Sequence, residues 1–276
     1  MKVIVAGSAG FCWGVSRAVS KARDVARRTG RLVHTDGPLI HNEQMMARLR
    51  TEGVCEAVDL AKVAGDILLI RAHGIPPERR QMLRGLRAEV VDCTCPDVAR
   101  IQGLIRKHAR KGCAVVIFGD AGHAEVIGLL GHAESRGHVV GGPRDVEALP
   151  ELAKVCLVAQ STQFPAAYEA VAEAVRRRFR DVTVLDTICE STRRRQEDLL
   201  KIAEEADAVV VVGGAHSANT LRLVELARSL KPTVHIQTAD QLQAELFRGV
   251  KTVGLTAGAS TPDFIIEAVR RKLEDM

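Results

Sequence analysis

Apolar residues in this chain fall into short, nearly unbroken runs, separated by longer stretches in which they recur every three to four positions. The runs KVIVA (2–6), ILLI (67–70), AVVIF (114–118), VCLVA (155–159), AVVVV (208–212) and VGLTA (253–257) have the length of strands. The intervening stretches, such as VSRAVSKARDVARR after Cys12, have a helical period and are rich in Arg, Lys, Leu and Ile. Strands alternating with helical segments imply parallel sheets with right-handed crossovers.

The pattern is written three times. VVDCTC ends at Cys95 and VLDTIC ends at Cys189, each an apolar-apolar-Asp-x-x-Cys frame running from a buried strand into a polar turn. Cys12 fits the same frame through MKVIVA and the turn GSAGFC. A helical stretch and a second strand follow each Cys, and then a polar tip. His41 lies 29 residues after Cys12, His123 lies 28 after Cys95, and Ser217 lies 28 after Cys189. A further strand in each repeat ends in a tip before a proline: His73 in ILLIRAHGIPP, Ser161 and Thr162 in VCLVAQSTQFP, Ser260 and Thr261 in VGLTAGASTPD. In parallel α/β sheets ligands bind beyond the carboxyl ends of the strands, where these tips stand. The expectation is three similar α/β units with mainly parallel sheets, spanning residues 1–94, 95–188 and 189–276, arranged around a pseudo-threefold axis with their tips facing a central site.

Composition narrows the function. With 46% hydrophobic and 26% charged residues the chain reads as a globular protein, and only 3% aromatics leave Val, Leu, Ile and Ala to fill the core. No apolar run approaches the ~20 residues that cross a bilayer, and the strand-like N-terminus leaves no room for a targeting segment. A cytoplasmic location is therefore expected. The net charge of +5 suits an anionic ligand or acidic partner and falls short of a nucleic-acid surface. The basic runs Arg176–Arg178 and Arg193–Arg195 read as solvated helix faces.

Seven cysteines without an export signal argue for thiols rather than disulfides. One Cys per repeat, namely Cys12, Cys95 and Cys189, gives three soft ligands, which select zinc, copper(I) or an iron–sulfur cluster. Zinc favours four ligands in close pairs, and no C-x-x-C pair exists here, so a 4Fe–4S cluster with three Cys ligands and one open iron is the preferred reading, with zinc or a buried trio of thiols still open. Cys93 should point to the opposite face from Cys95 and pack as a thiol. Cys55, Cys113 and Cys156 lie in or beside apolar runs and read as core thiols. The polar tips His41, His73, His123, Ser217, Asn219 and Ser260 supply many hydrogen-bond donors, which suits a diphosphate. There is no G-x-x-x-x-G-K-[ST] phosphate loop. Glu125 in GHAEVIG is the candidate proton donor, because desolvation in a closed cavity keeps a carboxyl protonated. A carboxylate favoured by a helix start is the competing explanation.

Nine motifs carry a family resemblance: GFCWGV, LIHN, AHG, DCTCP, HAEVIG, QST, DTICESTRRRQ, HSAN and TAGASTPD. In this order, from about residue 3 to residue 270, the chain resembles the 4-hydroxy-3-methylbut-2-enyl diphosphate reductases, the last enzymes of the non-mevalonate isoprenoid pathway. The resemblance implies a trefoil of three α/β domains and a cluster bound by Cys12, Cys95 and Cys189. It implies a diphosphate held by His41, His73, His123, Ser217, Asn219 and Ser260. It also implies a proton from Glu125, a Ser161 hydroxyl near the substrate alcohol, and electrons from ferredoxin, flavodoxin or a similar carrier. The products would be water with isopentenyl and dimethylallyl diphosphates. The chain departs from the family pattern at Trp13, Cys93, Ala124, Ser161 and His216, and none of these removes an implied ligand or the acid. A cluster enzyme acting on another small hydroxylated anion and a non-enzymatic iron–sulfur sensor are the rival functions.

Overall fold

The computed structural model describes residues 1–276. Its twelve strands form three four-stranded sheets, parallel throughout. Strand β1 (Lys2–Val5) opens the chain. Strands β2 (Val33–Thr35), β3 (Val54–Glu56), β4 (Ile67–Ile70) and β5 (Glu89–Asp92) form a sheet in the order β3-β2-β4-β5. Strands β6 (Ala114–Phe118), β7 (Gly137–Val140), β8 (Val155–Ala159) and β9 (Val182–Val184) form the next, in the order β7-β6-β8-β9. Strands β10 (Ala208–Val212), β11 (Thr233–Ile236) and β12 (Thr252–Ala257) complete the set with β1, in the order β1-β12-β10-β11.

The three orders are one pattern, because β1 occupies beside β12 the edge position that β5 and β9 occupy beside β4 and β8. After β12 the chain enters a helix and offers no further strand, so β1 fills the edge in parallel register, from Lys2 against Thr252 to Val5 against Leu255. The strand at the head of the 1–94 segment therefore belongs to the sheet of the 189–276 segment, a placement the threefold reading of the chain did not contain. Each cysteine of the repeat then leaves an edge strand and leads into a crossover helix: α1 (Trp13–Thr29), α4 (Pro96–Ala109) or α8 (Glu190–Glu205).

The unbroken apolar runs follow from burial on both faces of a sheet. In β10, Val209 and Val211 pack with Leu199, Ile202 and Ala203 of α8 and with Leu223, Val224 and Ala227 of α9 (Ala218–Leu230). Val210 and Val212 face the other way, towards Ile265, Ile266, Val269 and Leu273 of α10 (Asp263–Glu274). In β6, Val115 and Ile117 meet Ile101 and Ile105 of α4 and Val126 and Leu129 of α5 (Ala124–Gly131). Val116 and Phe118 meet Tyr168, Val171 and Val175 of α7 (Pro165–Arg178). Full burial of each such side chain contributes roughly 1.5–3 kcal/mol, so a polar substitution on either face costs core. The remaining helices are α2 (Glu43–Thr51), α3 (Pro77–Arg84) and the short α6 (Pro143–Glu147).

The chain divides into two compact units. Met1–Ser16, Ile40–Arg48 and Glu190–Met276 make one unit, which holds the sheet of β1, β10, β11 and β12. Arg17–Leu39 and Leu49–Cys189 make the other, which holds the two remaining sheets. No helix is long and apolar enough to cross a membrane.

Candidate active site

In the first unit, Cys12 sits in the turn between β1 and α1. Its backbone N–H donates to Ala259 O at 3.0 Å, and its Sγ accepts the Val15 N–H at 3.4 Å. The sulfur thus stands at the start of a helix, where it accepts one of the N–H groups that the first turn leaves unpaired. Arg195, 3% exposed, secures that turn from α8, donating from Nη2 to Gly10 O at 2.5 Å and from Nη1 to Ser191 Oγ at 2.7 Å. This corrects the solvated reading of Arg193–Arg195. Arg195 faces inward, beside an exposed Arg194, while Arg176 and Arg177 are exposed as expected.

The tips of the same unit are tied to one another. Ser260 Oγ donates to His41 O at 3.1 Å, and a Cβ placed on Gly214 would stand 2.8 Å from the same carbonyl, so only glycine fits there. Gly213 beside it has φ +155°, where Thr220 and Thr261 crowd the position a side chain would take. Ser217 caps α9, its Oγ accepting the Thr220 N–H at 3.4 Å, and Asn219 is buried two residues further on, in the first turn of that helix. Cys12, His41, Ser217 and Ser260 are therefore on loops that this unit holds together, and Asn219 opens the helix that follows one of them. Asn42 and Thr220, both buried, belong to the same loops and were not singled out from sequence as site residues. The caps they sit on were the available signal.

In the second unit an unbroken series of contacts links the remaining candidates. The Cys95 N–H donates to Ala72 O at 2.9 Å, directly before His73. The His73 and His123 rings meet edge to face, with centroids 5.6 Å apart. His123 caps α5, its Nδ1 accepting the Glu125 N–H at 3.1 Å. An accepting Nδ1 carries no proton, so the neutral ring holds its hydrogen on Nε2, as a donor to an anion requires. Glu125, 2% exposed, accepts the Ser161 N–H at 2.7 Å on Oε1 and the Ser161 hydroxyl at 2.8 Å on Oε2. The Cys189 N–H in turn donates to Ser161 O at 3.0 Å. Glu125 is thus both a helix-start carboxyl and a buried one, and the two explanations offered for it are compatible.

The supporting residues are polar; Thr94 and Thr187 are buried, Asp92 and Arg80 half-buried. Asp92 accepts from Thr94 N at 2.9 Å and Thr94 Oγ1 at 2.6 Å, and pairs with Arg80 at 2.5 Å, which shapes the turn into Cys95. The hydrogen bonds of Thr94 and the Arg80 charge hold its carboxyl below the usual range against the opposing effect of burial. Thr187 brackets Ala159 at the end of β8, accepting from its N and donating to its O.

No disulfide joins any of the seven cysteines. Cys93 is buried, and desolvation pushes its thiol up to about 11, in keeping with a packed group. Cys113 and Cys156 are buried as well, Cys156 pushed up to about 12 by the same cause. Cys55 departs from expectation: on the edge strand β3 it is only half-buried, because no strand lies beyond it. Cys12, Cys95 and Cys189 share partial exposure and a place at a helix start, so the donor set of soft, accessible sulfurs fits an iron–sulfur group. Among the departures from the family pattern, Trp13 is 55% exposed and His216 is exposed, whereas Ser161 keeps its hydroxyl on Glu125.

Comparison with known proteins agrees along the whole chain. The family model described as LytB protein matches residues 3–274. The 4-hydroxy-3-methylbut-2-enyl diphosphate reductase of Opitutus terrae is 48% identical, the match covering 99% of this chain and 99% of that protein. The enzyme of the same name from Aquifex aeolicus is 41% identical over 99% of this chain and 96% of its own. A solved structure of (E)-4-hydroxy-3-methyl-but-2-enyl diphosphate reductase, the terminal enzyme of the non-mevalonate pathway, aligns over 100% of both chains with TM-score 0.74 and 41% identity. The structure of the E-1-hydroxy-2-methyl-but-2-enyl-4-diphosphate reductase from Plasmodium falciparum aligns over 98% of this chain and 87% of its own, with TM-score 0.93 and 27% identity.

Proposed function

This chain belongs to the LytB protein family, and from that membership we infer that it is a 4-hydroxy-3-methylbut-2-enyl diphosphate reductase, the terminal enzyme of the non-mevalonate isoprenoid pathway. The observation that carries the reading is the end-to-end match at up to 48% identity. The overall reaction breaks the carbon–oxygen bond of the substrate's allylic alcohol. Two electrons and two protons enter, one proton leaving with the oxygen as water and the other adding to carbon to give isopentenyl or dimethylallyl diphosphate.

We assign the roles as follows. Cys12, Cys95 and Cys189 are the ligands of an iron–sulfur cluster of the 4Fe–4S type. Such a group would pass the two electrons one at a time from an external donor to the substrate, and its iron without a Cys ligand would act as Lewis acid for the alcohol oxygen. His41, His73, His123, Ser217, Asn219 and Ser260 hold the diphosphate. Donors on imidazole rings, hydroxyls and a carboxamide suit a polyanion, and each is charge-assisted against phosphate oxygens. Glu125 delivers the proton to the departing oxygen, and Ser161 orients it, since its N–H and O–H occupy the two carboxyl oxygens. When Glu125 is the acid, the same 2.8 Å contact runs in reverse, Glu125 donating to Ser161 Oγ until its proton passes to the departing oxygen. We place the reaction in the cytoplasm, with a ferredoxin, flavodoxin or similar carrier as electron donor.

Anaerobic reconstitution followed by turnover of 4-hydroxy-3-methylbut-2-enyl diphosphate with a reduced dye tests the reading. The expected result is oxidation of the dye with formation of both isopentenyl and dimethylallyl diphosphates. A fully loaded protein that leaves this substrate untouched would overturn it.

A further inference from the structure

Asn42 is 3% exposed and stands at the N-cap of α2, its Oδ1 accepting the Met45 N–H at 2.8 Å. That bond fixes the carboxamide, because a flipped amide would set its NH2 group against the Met45 N–H. Its other end, Nδ2, is buried and meets no acceptor in the chain. A buried donor left in this condition is costly, and capping does not require it. Asp and Ser cap helices as well as Asn, and Asp would in addition favour the helix dipole.

The surroundings give the amide a use. His41, the residue directly before, has its carbonyl touched by Ser260 Oγ at 3.1 Å and closely approached by Gly214. Asn42 therefore lies on the strip of chain that joins the three loops of the first unit. Asn219, in the first turn of α9 after the Gly214 loop, repeats the situation, with a buried carboxamide whose Nδ2 also meets no acceptor in the chain. Two buried amide donors without an acceptor, one at the start of α2 and one at the start of α9, beside loops that meet at His41 O, are matched by one polyanion. An anion in that place also accounts for Asn in preference to Asp at this cap.

We propose that Asn42 is a further substrate-binding residue, whose Nδ2 donates to a diphosphate oxygen while its Oδ1 holds the start of α2. The proposal rests on the reading of these loops as the diphosphate cradle. It divides one side chain between two tasks, so the tasks are separable by substitution. Asn42→Asp keeps the capping oxygen and replaces the donor by an anion. Asn42→Ser keeps a capping oxygen, carries no charge and does not reach as far.

Binding of inorganic pyrophosphate to the cluster-loaded protein by anaerobic calorimetry, beside thermal unfolding, tests it. Both variants should unfold within a few degrees of wild type. Pyrophosphate affinity should fall at least ten-fold in Asn42→Ser and further in Asn42→Asp. KM for the substrate should rise more than kcat falls. Wild-type affinity for pyrophosphate in both variants would overturn the role of Asn42 alone, provided that Ser217→Ala binds more weakly than wild type. Equal affinity in wild type, Ser217→Ala and both Asn42 variants would overturn the cradle and the role of Asn42 together.

Discussion

The backbone N–H of Cys189 donates to Ser161 O at 3.0 Å, two residues beyond the end of β8. The same bond recurs from Cys95 to Ala72, two residues beyond β4, and from Cys12 to Ala259, two residues beyond β12. Each repeat thus pins its cysteine to the loop that carries the next polar tip, through the backbone and independently of the sulfur.

Because the anchoring is backbone-borne, replacing any of the three by Ser should leave the fold in place and remove only the soft ligand. Cys12→Ser, Cys95→Ser and Cys189→Ser are each expected to lose the absorbance near 400 nm and the bound iron after anaerobic reconstitution, with circular dichroism unchanged. Cys93→Ser should retain the cluster, since burial holds that thiol up to about 11 and away from thiolate chemistry. Loss of iron in Cys93→Ser together with its retention in Cys95→Ser would invert the assignment.

The spacing of 28 or 29 residues from each cysteine to its first polar tip made the repeat legible, because parallel strand–helix–strand units of similar length place their tips at equivalent strand ends. Sheet membership was less accessible. β1 is a short apolar run like the others, and only the hydrogen bonds of a completed sheet reveal that it pairs with β12, some 250 residues away. Arg195 was misread for a related reason. Within RRR the charges look alike, and the helical phase turns Arg195 inward to Gly10 O while leaving Arg194 exposed. Asn42 shows the converse limit: a cap residue is visible in the sequence, whereas the buried second end of its amide is not.

The approach of Gly214 to His41 O gives a prediction for the cradle. Gly214→Ala places a methyl group 2.8 Å from a backbone oxygen that cannot rotate away, so the two loops must part. Ser260→Ala removes the hydroxyl that donates to the same carbonyl at 3.1 Å and whose single hydrogen turns to the diphosphate when it binds. Hydrogen bonds to charged groups are worth roughly 1.5–3 kcal/mol, so KM should rise about ten-fold or more in each case while the cluster spectrum stays unchanged. Wild-type KM in both variants would remove these loops from substrate binding.

Asp92 links the turn before Cys95 to acid stability. Its carboxyl is held below the ordinary value of 3.8 in the folded chain by Thr94 and Arg80. A depressed carboxyl contributes its full stabilisation above its unfolded pKa and loses it as pH falls through the lower folded value. Asp92→Asn keeps an oxygen for Thr94 but gives up the charge paired with Arg80. The Tm of the apoprotein should therefore drop at neutral pH, and the gap to wild type should narrow as pH is lowered below 3.8. A gap that stays constant down to pH values well under the ordinary carboxylate range would exclude this origin.

Glu125 offers the sharpest test of the chemistry, because one neighbour, Ser161, donates to both of its carboxyl oxygens. Hydroxide is a poor leaving group, and a positioned acid accelerates such a departure by about 10²–10⁴-fold. Glu125→Gln preserves the arrangement: the amide oxygen still accepts the Ser161 N–H, and the amide nitrogen turns towards Ser161 Oγ and donates to it. What disappears is the transferable carboxylic proton. The variant should bind its cluster and substrate normally and turn over at least ~100-fold more slowly, a loss confined to kcat. Ser161→Ala, which removes the hydroxyl bond to one carboxyl oxygen, should give a smaller loss, and Ser161→Thr should restore activity because the hydroxyl is retained. A cluster-loaded Glu125→Gln protein with wild-type kcat would show that the proton comes from elsewhere, and the search would then pass to His123, Ser161 and the diphosphate of the substrate itself.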